Sequence, residues 1–296
     1  MPQARKLPSD YLADGYEAGI VIPDTHVDEQ NGEIVTVDHA AFNAVMAYAA
    51  AHRWDWWCQL GDFGDWNVIS SHNKNNLKAV EGQTIRRSAD ACNIALDTIQ
   101  TNVRRRAVDS LAAEVLITGN HCQRLKIWAN AQPSLEGLLD YGELMRVEDR
   151  GIQLVDYWDK HEVWTRGEAN FGHGHYLGPT GPERHLRDYG FCFFYGHDHS
   201  VNMSPLKTYG KETRISQTIG CLETINPHWL RGKPNKWQHA FGVFFIRKED
   251  GKFNHYVPLI FDGQFIGPDG KCYDGREGRV VSRSVALLPR KMPRGL

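Results

Sequence analysis

The chain has 296 residues, 41% hydrophobic and 24% charged, with 34 basic and 36 acidic side chains and a net charge of −2. That balance excludes a disordered chain and a globally basic nucleic-acid binder, and no apolar run approaches the roughly 20 residues of a membrane span. Six cysteines, at 58, 92, 122, 192, 221 and 272, form no CxxC pair. They read as buried thiols of a reducing compartment, and with no apolar leader in residues 1–17 the expectation is a cytoplasmic protein without a membrane partner.

Residues 1–17 are polar and aperiodic and read as a flexible arm. Ala18–Ile22 is a short apolar run stopping at Pro23-Asp24, the pattern of a buried strand. Asp38 can cap a helix whose Phe42, Val45, Met46 and Ala49 fall on one face. Trp56–Leu60 reads as a second strand, ending at Gly61-Asp62. The Asn/Lys-rich stretch 66–83 reads as a loop. A longer helix follows, with Cys92, Leu96, Ile99 and Val103 as its apolar stripe and Arg104-Arg105-Arg106 near its end. Glu114–Thr118 is a third strand, stopping at Gly119-Asn120-His121. Strand–helix–strand–helix–strand points to βαβ units and an α/β fold. Further on, Ile152–Trp158, Glu168–Phe171 and Phe191–Tyr195 are strand candidates, and 240–247 with 253–260 flank a hairpin turn at Glu249–Lys252. No linker divides the chain, so 18–281 reads as a single domain followed by a basic tail, 282–296.

Five of these strands end in polar clusters of one chemical type. They are Asp24-Thr25-His26, Gly61-Asp62-Phe63-Gly64-Asp65, Gly119-Asn120-His121, Gly172-His173-Gly174-His175 and Gly196-His197-Asp198-His199. Ligands of open α/β sheets bind beyond the carboxyl ends of the strands, so all five should converge on one edge of the core. Glycine beside the clusters allows the close backbone approach that packing several ligands needs. Residues two apart in an extended segment share a face, which would set His197 and His199 side by side. Two cations about 3.5–4 Å apart could then take one imidazole each. Asp24 and His26 can converge on one ion, Asp62 can bridge both, Asn120 adds an amide oxygen and His173 another imidazole. Imidazoles mixed with such oxygens suit two divalent transition-metal ions, manganese first, then iron, zinc, nickel or cobalt, and not magnesium or calcium. Singly, each fragment is an ordinary turn, cap or core histidine; the weight lies in five of them in order, each at a strand end.

Read together, D-x-H, G-D-x-x-D, G-N-H, a histidine and G-H-x-H resemble the motif set of the calcineurin-like metallophosphoesterase superfamily, over residues 24–199. The resemblance implies a four-layer αββα sandwich with mixed sheets and a dimetal site at the C-terminal strand edges. It implies one metal on Asp24, His26, Asp62 and His199 and the other on Asp62, Asn120, His173 and His197. His121 would act near the leaving group, oriented by Asp65. Two departures stand out. Cys122 follows Gly119-Asn120-His121 where an acid is usual, and it reads as packing. The fourth motif offers both His173 and His175; the first is taken as the ligand, with His175 beside the substrate or facing solvent.

The activity so implied is hydrolysis of a phosphate ester by a hydroxide held between the two metals. The lean is to phosphodiesters, nucleic acid or nucleotide, as in a nuclease, because aromatics and arginines surround the motifs. A phosphomonoesterase acting on nucleotides or phosphoprotein is the alternative, and a non-catalytic scaffold on the same fold is the alternative of another class. Among substrate-facing candidates, Arg124 could reach a phosphate, though an ordinary surface ion pair is favoured for it. Trp66, next to Asp65, could stack on a base, whereas Trp54, Trp56 and Trp57 read as core. Asn67, His72, Lys74, Arg86 and Arg87 read as a solvated polar loop, and Arg104–Arg106 as a charge run favourable to a helix C-terminus.

Overall fold

The computed structural model describes residues 15–276 apart from 108, 136, 228 and 229. The tail at 282–296 and most of the arm therefore lie outside the described residues. In chain order the elements are β1 (Tyr16–Ile22), β2 (Asp28–Gln30), β3 (Glu33–Val35), α1 (His39–Ala51), β4 (Trp56–Gln59), α2 (Ile85–Arg104), β5 (Ala113–Ile117), α3 (Cys122–Ala131), α4 (Tyr141–Met145), α5 (Val147–Arg150), β6 (Gln153–Val155) and α6 (Tyr157–Lys160). Then come β7 (Trp164–Arg166), β8 (Ala169–Gly172), α7 (Gly181–Tyr189), β9 (Phe193–Tyr195), β10 (Met203–Lys207), β11 (Thr213–Thr218), β12 (Gly242–Arg247), β13 (Phe253–Tyr256), β14 (Gln264–Ile266) and β15 (Cys272–Asp274).

Two mixed sheets carry the fold. One has the order β13-β12-β1-β4-β5-β6, the other β10-β11-β9-β8-β7. β1, β4, β5 and β6 run parallel, with β12 antiparallel to β1. β8, β9 and β11 also run parallel. Alternation along the central strands shows how the faces are used. Ile20, Ile22, Trp57 and Leu116 share an apolar core with Phe42, Val45, Met46 and Ala49 of α1 and Leu96, Ile99 and Val103 of α2. Their strand neighbours Val21, Trp56, Cys58, Val115 and Ile117 instead pack with Phe171, Phe193 and Tyr195 of the second sheet. Strands buried on both faces read as continuous apolar runs, which is why β1 and β4 were legible. The cap on α1 is as expected, with the Asp38 carboxylate accepting from Ala41 N.

Several expectations change. The first strand begins at Tyr16, inside the expected arm. The strand expected over 152–158 is confined to Gln153–Val155; Asp156 accepts from Asp159 N and starts the short α6, so Trp158 sits on a helical turn. Residues 66–83 fold into three short 3-10 turns, Asn67–Ile69, Ser71–Asn73 and Leu77–Val80. Arg104 pairs with Glu114 at 2.6 Å, at the start of β5 and so away from the strand ends that carry the motifs. Five cysteines are buried, but Cys272 is exposed on β15. Among the described residues no helix is long and apolar enough to cross a membrane.

On the inner side of α7, His185 is fully buried. Its Nδ1 lies 2.9 Å from Gly181 O, so that nitrogen carries the proton, while Nε2 accepts from His175 N at 3.1 Å. A second proton would meet the His175 amide head on, and burial pushes its pKa down to about 4. A histidine whose folded pKa is depressed contributes stability above its unfolded pKa of 6.5 and loses it as pH falls toward 4. Wild-type protein should therefore lose about 2–3 kcal/mol of stability across that window relative to His185→Gln. Urea unfolding at pH 7 and pH 4.5 checks this; equal pH slopes in the two proteins would rule it out.

Candidate metal centre

The motif residues sit where parallel strands end: Asp24 and His26 after β1, Asp62 and Asp65 after β4, Asn120 and His121 after β5, His173 after β8, His197 and His199 after β9. They meet. Asp24, His26 and His199 offer ligand atoms all within 4.8 Å of one another, and so do Asp62, His173 and His197. Asp62 belongs to the second group and also faces the first: its Oδ2 is 3.2 Å from His173 Nε2 and 4.0 Å from His26 Nε2. Asn120 Oδ1 lies 3.0 Å from His173 Nε2. His173 rather than His175 joins the cluster: His175 stacks on Tyr157 and faces His161 Nδ1 at 3.2 Å.

One premise of the sequence reading fails. His197 and His199 do serve different groups, but not as neighbours on an extended strand. β9 ends at Tyr195, and both histidines have left-handed backbone, φ 64° and 56°. His26 (51°) and Asp62 (46°) are left-handed as well. Non-glycine residues so placed cost about 1–3 kcal/mol each and gather where function holds them. Gly61 supplies the other bend, with φ 103°, and a Cβ there would lie 2.5 Å from His173 Nδ1.

The donor set can be tested for a cation from its own hydrogen bonding. His173 Nδ1 faces Leu60 O at 2.9 Å and must donate to it. In the neutral ring Nε2 is then a lone pair, yet it faces two more acceptors, Asp62 Oδ2 and Asn120 Oδ1. Acceptors converging on one buried point need a proton or a metal. Without metal the proton takes that place: burial works against it, but the Asp62 and Asp24 carboxylates outweigh burial and raise the His173 pKa to about 9. At the other group His26 Nε2 and His199 Nε2 face each other at 3.1 Å, and Asp24 Oδ2 lies 3.0 Å from the latter. Among the described residues, the buried Asp24 Oδ1 has no hydrogen-bond partner. Imidazoles, carboxylates and an amide oxygen form a transition-metal donor set, so the residues fit two such ions.

Electrostatics agree with that role. Burial alone would raise Asp62, but His121, His173 and His26 hold its carboxyl well below the usual range. Asp24 is lowered too, as His173 and His199 overcome its burial. Burial, with His173 alongside, pushes His197 down to about 3, so it presents a neutral ring.

Asp65 organises the neighbouring residues. Its Oδ1 lies 2.7 Å from His121 Nδ1, 3.3 Å from His26 Nδ1 and 3.2 Å from Arg124 Nη1, and Asn67 Nδ2 donates to Oδ2. Burial is more than offset by His121 and His26, and the carboxyl stays well below the usual range. Arg124 is therefore not a surface ion pair; its second arm, Nη2, lies 2.9 Å from His121 Nε2. Asn67, read as part of a solvated loop, also donates its N–H to Asp28. Trp66 offers no stacking face, being fully buried in the core beside Tyr141, with left-handed backbone, φ 54°. Cys122 packs: its Sγ accepts from Gly119 N, and burial pushes the thiol up to about 12.

Sequence reading missed three residues here. Trp158 lies edge-on to His197 and His173. Half-buried Trp237 lies edge-on to His199, with ring centroids 4.5 Å apart. Glu223 is buried with Oε2 3.4 Å from His199 Nδ1. None sits in a motif, and only Trp237 carried a signal, an aromatic beside a Lys/Pro/Asn-rich loop.

No protein-family model matches this chain, and no curated protein does. Solved structures do, among them Vps29 of Chaetomium thermophilum, at 11% identity and a TM-score of 0.36 over 82% of this chain and 97% of that one. A likeness that low carries nothing about activity.

Proposed function

We propose that this protein is a dinuclear metal-dependent phosphoesterase of the calcineurin-like type, acting on phosphodiesters. In that reading the two sheets are the inner layers of an αββα sandwich and the site lies at their carboxyl edges. The observation that carries it is the excess of buried acceptors over donors in two groups that meet at Asp62. Asp24, His26, Asp62 and His199 would hold one ion, and Asp62, Asn120, His173 and His197 the other. When bound, two such ions supply Lewis acidity and lower the pKa of water toward neutrality.

The chain's own groups account for the leaving side. His121 Nδ1 is held against Asp65, which leaves Nε2 as the nitrogen that exchanges a proton with a leaving oxygen. Arg124 shares that nitrogen and is anchored to Asp65, so its guanidinium sits where an oxygen gathers negative charge. A cavity of about 730 Å³ opens beside Gly119 and Cys122, walled by Trp158, Lys126, Asn130, Tyr141 and Lys160. None of the proposed metal ligands, nor His121 or Arg124, is among its walls. Trp158 and Trp237 flank the two metal groups with aromatic surface suited to a nucleotide. That aromatic surface favours a nucleotide-type diester over a small monoester.

Manganese-loaded protein should turn over bis-nitrophenyl phosphate faster than nitrophenyl phosphate. The reverse ratio would indicate a phosphomonoesterase, and turnover of neither ester, with both ions bound, a binding module. His121→Ala should cost about 10²–10⁴-fold on alkyl leaving groups and much less on nitrophenyl ones. Equal losses on both would remove His121 from the proton transfer.

A further inference from the structure

Three imidazoles that aim Nε2 into the cluster have the other nitrogen set against an oxygen. His173 Nδ1 faces Leu60 O at 2.9 Å, and His26 Nδ1 faces Asp65 Oδ1 at 3.3 Å. His199 follows the same plan. Its Nε2 faces Asp24 Oδ2 at 3.0 Å and His26 Nε2 at 3.1 Å, while its Nδ1 faces Glu223 Oε2 at 3.4 Å. That Nδ1 is buried and, among the described residues, completes no hydrogen bond; the Glu223 carboxylate is the oxygen that faces it, and the same Oε2 lies 3.7 Å from His26 Nε2. Glu223 lies outside every motif, in the segment after β11. Its backbone is tied at both sides of the site: Val37 forms a bridge with it, and His239 Nε2 donates to its carbonyl. Two residues earlier, Cys221 forms a parallel bridge with Asp24. The carboxylate is 2% exposed, and its place is set by the same strand-end backbone that sets Asp24.

We infer that Glu223 is a positioning residue for the first metal site, holding His199 in the tautomer with the proton on Nδ1 so that Nε2 is presented as a lone pair. The inference rests on the metal reading of the cluster. A carboxylate behind a ligand histidine fixes the ring and raises its basicity, and its loss typically weakens metal binding by about 10–100-fold. His199 cannot be held instead by the solvent, because only 7% of the residue is exposed.

The test is manganese and cobalt binding to the full chain by calorimetry, with the cobalt absorption spectrum as a second signature. Wild type should bind two ions. Glu223→Ala should weaken one of them by about 10–100-fold and leave the other unchanged. Glu223→Gln keeps the shape and one acceptor oxygen, guards against misfolding, and should fall between the two with an altered cobalt spectrum. In a His199→Gln background Glu223→Ala should have little further effect. Wild-type affinity and spectrum in either variant, or an undiminished effect of Glu223→Ala without His199, overturns the positioning role and leaves the metal site standing. Wild-type protein that binds neither ion overturns the metal reading, and the positioning role with it.

Discussion

Asp62→Asn should abolish binding of both metal ions at micromolar concentration and lower phosphodiester turnover by about a thousandfold or more. Asp62 turns one carboxylate oxygen toward the Nε2 atoms of both groups, with Oδ2 3.2 Å from His173 Nε2 and 4.0 Å from His26 Nε2. Its other oxygen accepts the His121 amide at 2.8 Å, which fixes the turn carrying Asn120. An amide in its place is neutral and turns either an N–H or a single oxygen toward the histidines. The negative charge that would offset two cations there is removed, and the low local dielectric makes that loss severe. The fold should survive, because removing the charge also removes the reason for His173 to hold a proton. Equilibrium dialysis with manganese, together with circular dichroism, checks both parts. A folded Asp62→Asn protein retaining two tightly bound ions would show that the groups are not bridged.

The residues of the candidate site were legible for a simple reason: polar residues that interrupt the ends of doubly buried strands have nowhere else to go. Ile20–Ile22 and Trp56–Cys58 are apolar on both faces, so Asp24 and Asp62 mark where the chain leaves the core. The same signal located His173 and His197. What it could not supply was backbone conformation. His197 and His199 were expected on an extended strand, and instead both have left-handed backbone beyond the end of β9. Nor could it reach residues brought in by distant packing. Glu223 comes to His199 from a loop without period, and Trp158 comes from a helical turn that Asp156 starts by capping, where only a strand was expected. The hairpin of β2 and β3 has three residues per strand, too few for a period to register. Arg124 was weighed by its sequence position on a surface helix, yet three residues past His121 on α3 its guanidinium faces the same Asp65.

Gly196→Ala should eliminate metal binding at the Asp24 group and reduce turnover to background, although residue 196 is neither ligand nor acid. A Cβ on residue 196 would lie 1.8 Å from Asp24 Oδ1, well inside contact distance. Asp24 cannot retreat, since its Oδ2 accepts from His197 N at 2.7 Å and its carbonyl accepts from Leu222 N at 2.7 Å. Residue 196 follows β9 of one sheet and Asp24 follows β1 of the other, so relief requires the two sheet ends to part. Overpacking of this kind costs about 1–3 kcal/mol, with a matching fall in Tm. The double variant Gly196→Ala/Asp24→Ala separates the causes. Removing the opposing carboxylate should restore much of the lost thermal stability while leaving the protein inactive. If the double variant were no more stable than Gly196→Ala, the damage would lie in the turn itself, and the close seating of Asp24 on Gly196 would not be what lets the two sheets share a site.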